Sequence, residues 1–351
     1  MRNETVERLL GHRSIRAFKE KPIEKEIVDN LIEVANHTST SMGMQSFSII
    51  RVTDKEKRAK IAKICTQDYV NQAPEFWVFI ADLYRNASIA AEQDYYPETR
   101  NDADRFFQGF TDACLAAQNV LAAAESYGLG GVFFGSILND LPAIIEILNL
   151  PEYTFPVIGL GMGYPDQEPL LKPRMDVEFK VFENEYKKQD SYLDALKDYD
   201  QRMKKYYDMR NPSKYLDEFT KQVVNILSTA DQRKSHAISV MRKQGFNLEL
   251  EYIPESEIRT MFKKAPKNKP EKKEFTESKS GLRLDTNLQE MFDKYPFVKS
   301  YLLSINHKFN KLVSIGMAGR LNEMTIKDLA DMGDMPADSL IYMIESRIDE
   351  E

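Results

Sequence analysis

Residues 109–136, GFTDACLAAQNVLAAAESYGLGGVFFGS, join the clearest helical pattern of the chain to a short apolar strand. Phe110, Ala113, Cys114, Ala117, Val120, Leu121 and Ala124 recur at helical spacing and predict one buried face. Gly128, Gly130 and Gly131 are expected to stop that helix. Its many small residues allow another helix to approach closely. GGVFFGSI (130–137) then reads as a strand, so a long helix feeds directly into a sheet.

Outward from there the same alternation continues. SFSIIRVTD (46–54) and EFWVFIADL (75–83) read as strands, the second almost wholly apolar and therefore central. LPAIIEILNL (141–150) reads as a helix and FPVIGLGMGYP (155–165) as a further strand. In KPIEKEIVDNLIEVANHT (21–38), Ile27, Leu31, Val34 and Ala35 make one helical stripe, with Pro22 suited to its first turn. Helices and apolar strands alternating through about residue 165 indicate an α/β or α+β core around a sheet. From there to about residue 250 the chain is more polar and is expected to be largely helical, with LDALKDYDQRMKKYYDMR (193–210) as one segment.

The 351 residues exceed one average domain. Residues 261–280, MFKKAPKNKPEKKEFTESKS, hold seven lysines, three glutamates and two prolines, and read as a solvated linker. The interleaved glutamates weaken its field as a nucleic-acid-binding tail. Beyond it lie several short helical patterns and no strand run. The expected division is 1–250, a charged linker at 251–285, and a small helical domain at 286–351.

A net charge of −7 argues against a general nucleic-acid binder. Cys65 and Cys114 form no CxxC pair, and His12, His37, His236 and His307 show no zinc-protease spacing, so no metal is expected. The charged start, MRNETVERLLGHRS, lacks an apolar signal core, and no run approaches a spanning helix. The expectation is a cytoplasmic protein without membrane contact.

Within this acidic chain, basic groups gather locally. GHRSIRAF (11–18) sets His12, Arg13 and Arg16 around Ser14 with no acid among its eight positions. In LLKPR (170–174), Lys172 and Arg174 flank Pro173, and alternate side chains of an extended segment face the same way. Arginine forks and a lysine charge suit a phosphate. TSTSMGMQS (38–46) adds hydroxyls, and Gly135 and Ser136 offer backbone N–H groups after a strand. GLGMG (159–163) leads into Tyr164–Pro165 rather than a helix, so it reads as a strand with packing glycines and not as a dinucleotide fingerprint.

In chain order, GHRSIR (11–16), the hydroxyl loop with Gln45 and SIIRVTDK (48–55), QAPEFWVFIADLYR (72–85), AAQNVLAAAESYGLGGVFFGS (116–136) and LKPR (171–174) carry a resemblance. Over residues 1–250 the chain resembles the oxygen-insensitive NADPH nitroreductase and flavin reductase branch of the nitroreductase superfamily. That resemblance implies an α+β sandwich with a mixed central sheet, an intertwined homodimer, and FMN at sites built by both subunits. It assigns His12, Arg13, Ser14 and Arg16 to the FMN phosphate, ribityl chain and ring edge, with Lys172 and Arg174 closing on the same flavin. Ser39 and Ser41 match contacts from the partner subunit, Gln67 a polar contact, and Gly135 and Ser136 the approach after the strand. Arg210 matches a contact to the nicotinamide nucleotide's 2′-phosphate. The implied reaction passes a hydride from NADPH or NADH through FMN to nitroaromatics, quinones or free flavin, with no catalytic side chain beyond the flavin.

YPFVKSYLLSINHKFNKL (295–312) and MTIKDLADMGDMPADSLIYMIESRI (324–348) resemble a small helical domain of iron–sulfur-repair and hybrid-cluster-associated proteins. The cysteine pair often found there is missing, which argues against a redox relay and for a docking or stabilising appendage, open to a protein partner. A flavin-binding module that docks a redox or iron–sulfur partner through this domain is the alternative reading.

Overall fold

In a computed structural model, residues 2–206, 216–228, 236–248, 280–317 and 319–350 are described. The chain divides into two compact units, 1–252 and 253–351.

The first unit is built on a four-stranded sheet of order β1-β2-β4-β3, from β1 (Phe47–Arg51), β2 (Glu75–Asp82), β3 (Gly130–Phe134) and β4 (Thr154–Gly163). All three ladders are antiparallel. Where a mixed sheet was expected, parallel pairing among the described residues is confined to isolated bridges, Ser14 with Gly131 and Asp102 with Asn247. β2 is interior, as its unbroken apolar run demands. Its alternation feeds two cores: Trp77, Phe79 and Ala81 enter one, and Phe76, Val78 and Ile80 the other.

The helices of this unit are α1 (Glu4–Leu10), α2 (Lys25–Asn36), α3 (Lys55–Cys65), α4 (Tyr69–Gln72), α5 (Tyr84–Ala91), α6 (Ala103–Ser126) and α7 (Leu141–Leu148). They continue with α8 (Tyr192–Ala195), α9 (Lys197–Lys205), α10 (Phe219–Ser228) and α11 (Ala237–Lys243). α2 and α6 cover the first face of the sheet, while α3, α4 and α7 cover the second. The result is an α+β sandwich with the sheet as its middle layer.

Several local expectations need correction. Pro22 precedes α2, which opens at Lys25 behind the N-cap Glu24, and Val28 joins Leu31 and Ala35 on its buried face. α6 begins six residues before Gly109, at Ala103, because Asp102 caps it by accepting from Arg105 N. Only Gly128, at φ 75°, serves its termination. Gly130 and Gly131 belong to β3, where a Cβ would lie 2.3 Å from Ile15 and 2.7 Å from Leu121. Residues 166–191 are irregular apart from one short 3₁₀ turn (Val177–Phe179), and the described part of the predicted 193–210 helix, to residue 206, holds two helices that meet at Leu196.

The packing role of GLGMG is seen directly. A Cβ on Gly161 would lie 2.9 Å from Phe134, and one on Gly163 2.4 Å from Pro74. Pro156 is tolerated in this interior strand because β3 pairs only with Gly159–Gly163, so no ladder donor is lost there.

The second unit contains α12 (Leu288–Lys294), α13 (Pro296–Ile305), α14 (Lys311–Met317), α15 (Ile326–Gly333) and α16 (Ala337–Glu350). Its own core includes Leu288, Val298, Leu302, Phe309, Leu329 and Ile344. Thr325 and Asp328 form a reciprocal capping box at the start of α15. Residues 280–285, assigned to the linker from sequence, belong to this unit: Leu282 is buried in the core and Ser280 bonds Glu345. No helix among the described residues is long and apolar enough to cross a membrane.

Candidate functional site

The segment after α1 is stitched to the sheet on two sides. Ser14 bridges Gly131 at the edge of β3, and Ile15 N donates to Gly131 O at 3.0 Å. Phe18 bridges Pro165, Lys19 N donates to Tyr164 O and Asp166 N to Ala17 O, each at 2.9 Å. These bonds carry residues 12–16 alongside the segment that leaves β4. Gly130 permits the approach, since any side chain there would strike Ile15.

The consequence is a cavity of about 180 Å³ lined by His12, Arg13, Ser14, Arg16, Lys172 and Arg174, together with Gln167, Pro169, Leu170 and Tyr206. Among the described residues no carboxylate lines it. Arg13 and Arg16 each donate to a backbone carbonyl two residues back, Gly11 O and Ser14 O, and Arg174 donates to Lys172 O. Each of those bonds uses one guanidinium nitrogen and ties the side chain to the backbone of its own segment, leaving further N–H groups of the fork for a ligand. Lys172 and Arg174 line the same space, as the extended Lys-Pro-Arg spacing implies.

α9 braces that basic pair from behind. Tyr199 donates its hydroxyl to Pro173 O at 3.4 Å, and Arg202 pairs with Asp176 at 2.7 Å. Leu196, Tyr199 and Met203 form a small core with Met175 and Phe179. Burial pushes the Tyr199 phenol up from its ordinary value.

His12 has an acidic partner that is distant in sequence. Its Nδ1 lies 2.5 Å from Glu125 Oε1, near the end of α6. Arg8 donates to Glu125 O at 2.7 Å, satisfying a carbonyl in the last turn of that helix. A second, more open hollow of about 370 Å³ adjoins the first, sharing His12, Arg13, Gln167 and Pro169 and adding Glu125 and Glu168.

The remaining sequence candidates lie elsewhere. Ser136 donates to Gln67 Oε1 at 2.8 Å, just after β3, and a Cβ on the neighbouring Gly135 would meet nothing within 4 Å. Ser39 and Ser41 sit on the loop after α2, where Ser41 N donates to Asp112 Oδ1 at 2.9 Å. Neither group lines the basic cavity. Arg210 lies outside the described residues. Sequence reading missed Gln167, Pro169, Leu170 and Tyr206, whose only signal is proximity to LLKPR and to α9, and it missed Glu125, which carries no local signal. Among the described residues no cluster of three or more His, Cys, Asp or Glu is arranged to hold a metal ion.

The fold is thus an α+β sandwich with a cavity beside its sheet edge that is lined, among the described residues, by basic and neutral groups suited to an anion. The chain matches the Nitroreductase family over residues 9–164 and the Nitroreductase family, C-terminal domain, over residues 172–249. It is 38% identical over 245 residues to a Vibrio harveyi NADPH-flavin oxidoreductase, covering 69% of this chain and 98% of the relative. It is 36% identical over 243 residues to a Salmonella typhimurium oxygen-insensitive NADPH nitroreductase, covering 69% and 98%. Among solved structures, nitroreductase A from Vibrio parahaemolyticus aligns with a TM-score of 0.63 at 38% identity, over 70% of this chain and 99% of its own. The chain belongs to the nitroreductase family. Both family matches end before the second unit begins.

Proposed function

We propose that this protein is an FMN-dependent oxidoreductase that moves a hydride from NAD(P)H to nitroaromatics, quinones or free flavin. The observation that carries this reading is the convergence of Arg13, Arg16, Lys172 and Arg174, with His12 and Ser14, on one cavity. The relatives' activities, NADPH-flavin oxidoreductase, FMN reductase and NADPH nitroreductase, support it.

The donor set fits FMN. Planar guanidinium forks and a lysine suit the phosphate, and the Ser14 hydroxyl suits the ribityl chain. A cavity of about 180 Å³ is smaller than the roughly 300–1,000 Å³ of a whole-ligand pocket. It would therefore enclose only part of the ligand, the remainder lying toward Gly135 and the Gln67–Ser136 pair. Gly135 lies about 13 Å along β3 from Gly131, at roughly 3.3 Å per residue, a span suited to an elongated ligand.

When bound, FMN supplies both halves of the chemistry, taking hydride from the nicotinamide and giving it to the acceptor. The chain's residues bind and orient it. A cationic side chain beside the ring favours the charge gained on reduction, a role suited to Arg16, Lys172 or Arg174. No serine nucleophile or carboxylate pair is required. NADPH is the favoured donor on the relatives' names, with Arg210 the residue assigned to its 2′-phosphate.

We further infer a homodimer in which Ser39 and Ser41 of one copy complete the pocket of the other. Exposed Leu9 and Leu10 on α1, Ile32 on α2, Phe107 and Leu115 on α6, and Met42 on the hydroxyl loop supply apolar surface for that contact. The second unit is assigned a docking role toward a protein partner, on its resemblance to the helical domain of iron–sulfur-repair proteins. Its test is the steady-state rate before and after removal of residues 262–351, which docking leaves unchanged.

The test of the main reading is direct. Purified protein is yellow with a flavin spectrum that bleaches under NADPH, and it elutes as a dimer by light scattering. A colourless protein that refuses added FMN overturns it.

A further inference from the structure

α6 is mostly apolar where it meets the sheet, yet it buries a carboxylate. Asp112 is only 1% exposed. Its Oδ1 accepts from Ser41 N at 2.9 Å and its Oδ2 from Ser46 N at 3.2 Å. No cation pairs with it among the described residues. A buried carboxylate is costly unless its oxygens are bonded, and here both oxygens face backbone donors of one loop.

That loop, between α2 and β1, is held in an unfavourable conformation. Met42 and Gln45 have φ of 53° and 50°, and Gly43 has 67°. A non-glycine residue in this region costs about 1–3 kcal/mol and persists where its surroundings over-determine it. Four side chains do so here. Besides Asp112, Asn119, two turns further along α6, donates to Thr38 Oγ1 at 3.1 Å. Asn86 donates to Met44 O and Ser46 Oγ, each at 3.1 Å. Arg85 donates to Gln45 O and Phe47 O.

The loop tip is not used for packing. Met42 is 76% exposed and Ser39 is exposed. A short connection that merely joined α2 to β1 needs neither left-handed residues nor a buried charge. The arrangement presents a fixed tip outward.

We propose that Asp112 is a positioning residue for flavin binding, holding the Ser39–Ser41 loop in the shape with which one copy completes the pocket of a second. The inference rests on the FMN reading and on the assignment of Ser39 and Ser41 above. Asp112 touches neither flavin nor substrate. It acts by fixing two backbone N–H groups, Ser41 and Ser46, to α6.

The experiment measures FMN dissociation from the full-length protein by flavin fluorescence. It compares the parent, D112N, the S39A/S41A double variant, and all three substitutions together. Asparagine offers one acceptor for two donors, so D112N is expected to keep the oligomeric state, to lower the melting temperature modestly and to weaken FMN about tenfold. In the S39A/S41A background D112N should add less than about twofold, because the two hydroxyls assigned to the flavin are then already gone. The visible circular dichroism of the bound flavin should change alike in D112N and S39A/S41A. If D112N does not fold, D112S, which keeps a single hydroxyl acceptor, takes its place with the same expectations. Unaltered FMN affinity in D112N beside a weakened S39A/S41A overturns the role of Asp112 alone. So do multiplicative losses in the combined variant, which indicate a global effect. Unaltered affinity in S39A/S41A, or a parent that binds no FMN, instead overturns the underlying reading and the inference with it.

Discussion

Nδ1 of His12 and Oε1 of Glu125, 113 residues apart in the chain, lie 2.5 Å from each other at the wall of the basic cavity. An ionised carboxylate only accepts, so Nδ1 carries the proton and the imidazole is fixed in one orientation. The Glu125 side chain is 12% exposed, which makes the bond stronger than a surface pair. Replacing Glu125 with alanine is expected to cost about 1–3 kcal/mol in urea unfolding and to weaken FMN binding. H12A in that background should add little to the flavin loss, and additive losses would show that the two side chains act separately.

Arg16 and Lys172 approach the cavity from opposite segments, one before α2 and one after β4. Alanine at either position should weaken FMN by about 1–3 kcal/mol, the usual value for a hydrogen bond to a charged group. Flavin content after exhaustive dialysis reads this out. Full retention in both variants would count against the phosphate assignment.

Gly130 is the hinge between sequence and site. A methyl group there would sit 2.3 Å from Ile15 Cγ1 and 3.2 Å from Pro165 Cγ. G130A should lower stability by about 1–3 kcal/mol through overpacking and displace residues 14–16 from β3. Loss of FMN retention beyond that of a core variant with an equal drop in melting temperature is the expected signature.

Glu24 accepts from the Tyr164 hydroxyl and pairs with Lys21 at 2.9 Å. These bonds, Tyr164 first, hold its carboxyl well below the usual range, at about 2. With the folded value depressed, the contribution to stability is present above pH ~4.5 and is lost as pH falls from there through about 2. E24Q should flatten the acid limb of the stability–pH curve in that window. An unchanged slope in chemical denaturation would refute the assignment.

Phe309 is fully buried in the second unit and touches the site of Gly333, where a Cβ would lie 2.6 Å from its ring. F309A should cost about 3–5 kcal/mol. Because the second unit has its own core, calorimetry should show one transition shifted and the flavin-bearing transition unmoved. A joint shift of both would indicate a single cooperative unit.

Periodicity made the layers of the first unit legible. The run around Val120 could only be a helix with one buried stripe, and EFWVFIADL only a strand buried on both faces. The glycines of β4 announced close packing before any contact was known. Less regular stretches were not legible in this way. The stretch from about 165 to 250 is expected to be largely helical, yet residues 166–191 run mostly as loop, with Pro173, Met175, Asp176 and Phe179 held by contacts to α9. Leu282 read as linker because one apolar residue among charges has no period.

The site divides along the same line. Residue type and spacing alone identified the two basic segments, since an arginine's charge and the alternation of an extended backbone are local properties. That residues 12–16 and 172–174 face one cavity follows from bridges to Gly131 and Pro165, which no local pattern encodes. Glu125 beside His12 and Asp112 beneath the hydroxyl loop are likewise products of α6 crossing both segments. Sequence determined which candidate groups are present; only the tertiary fold decided which of them meet, because hydrogen-bond partners 66 to 113 residues apart are chosen by chain path and packing.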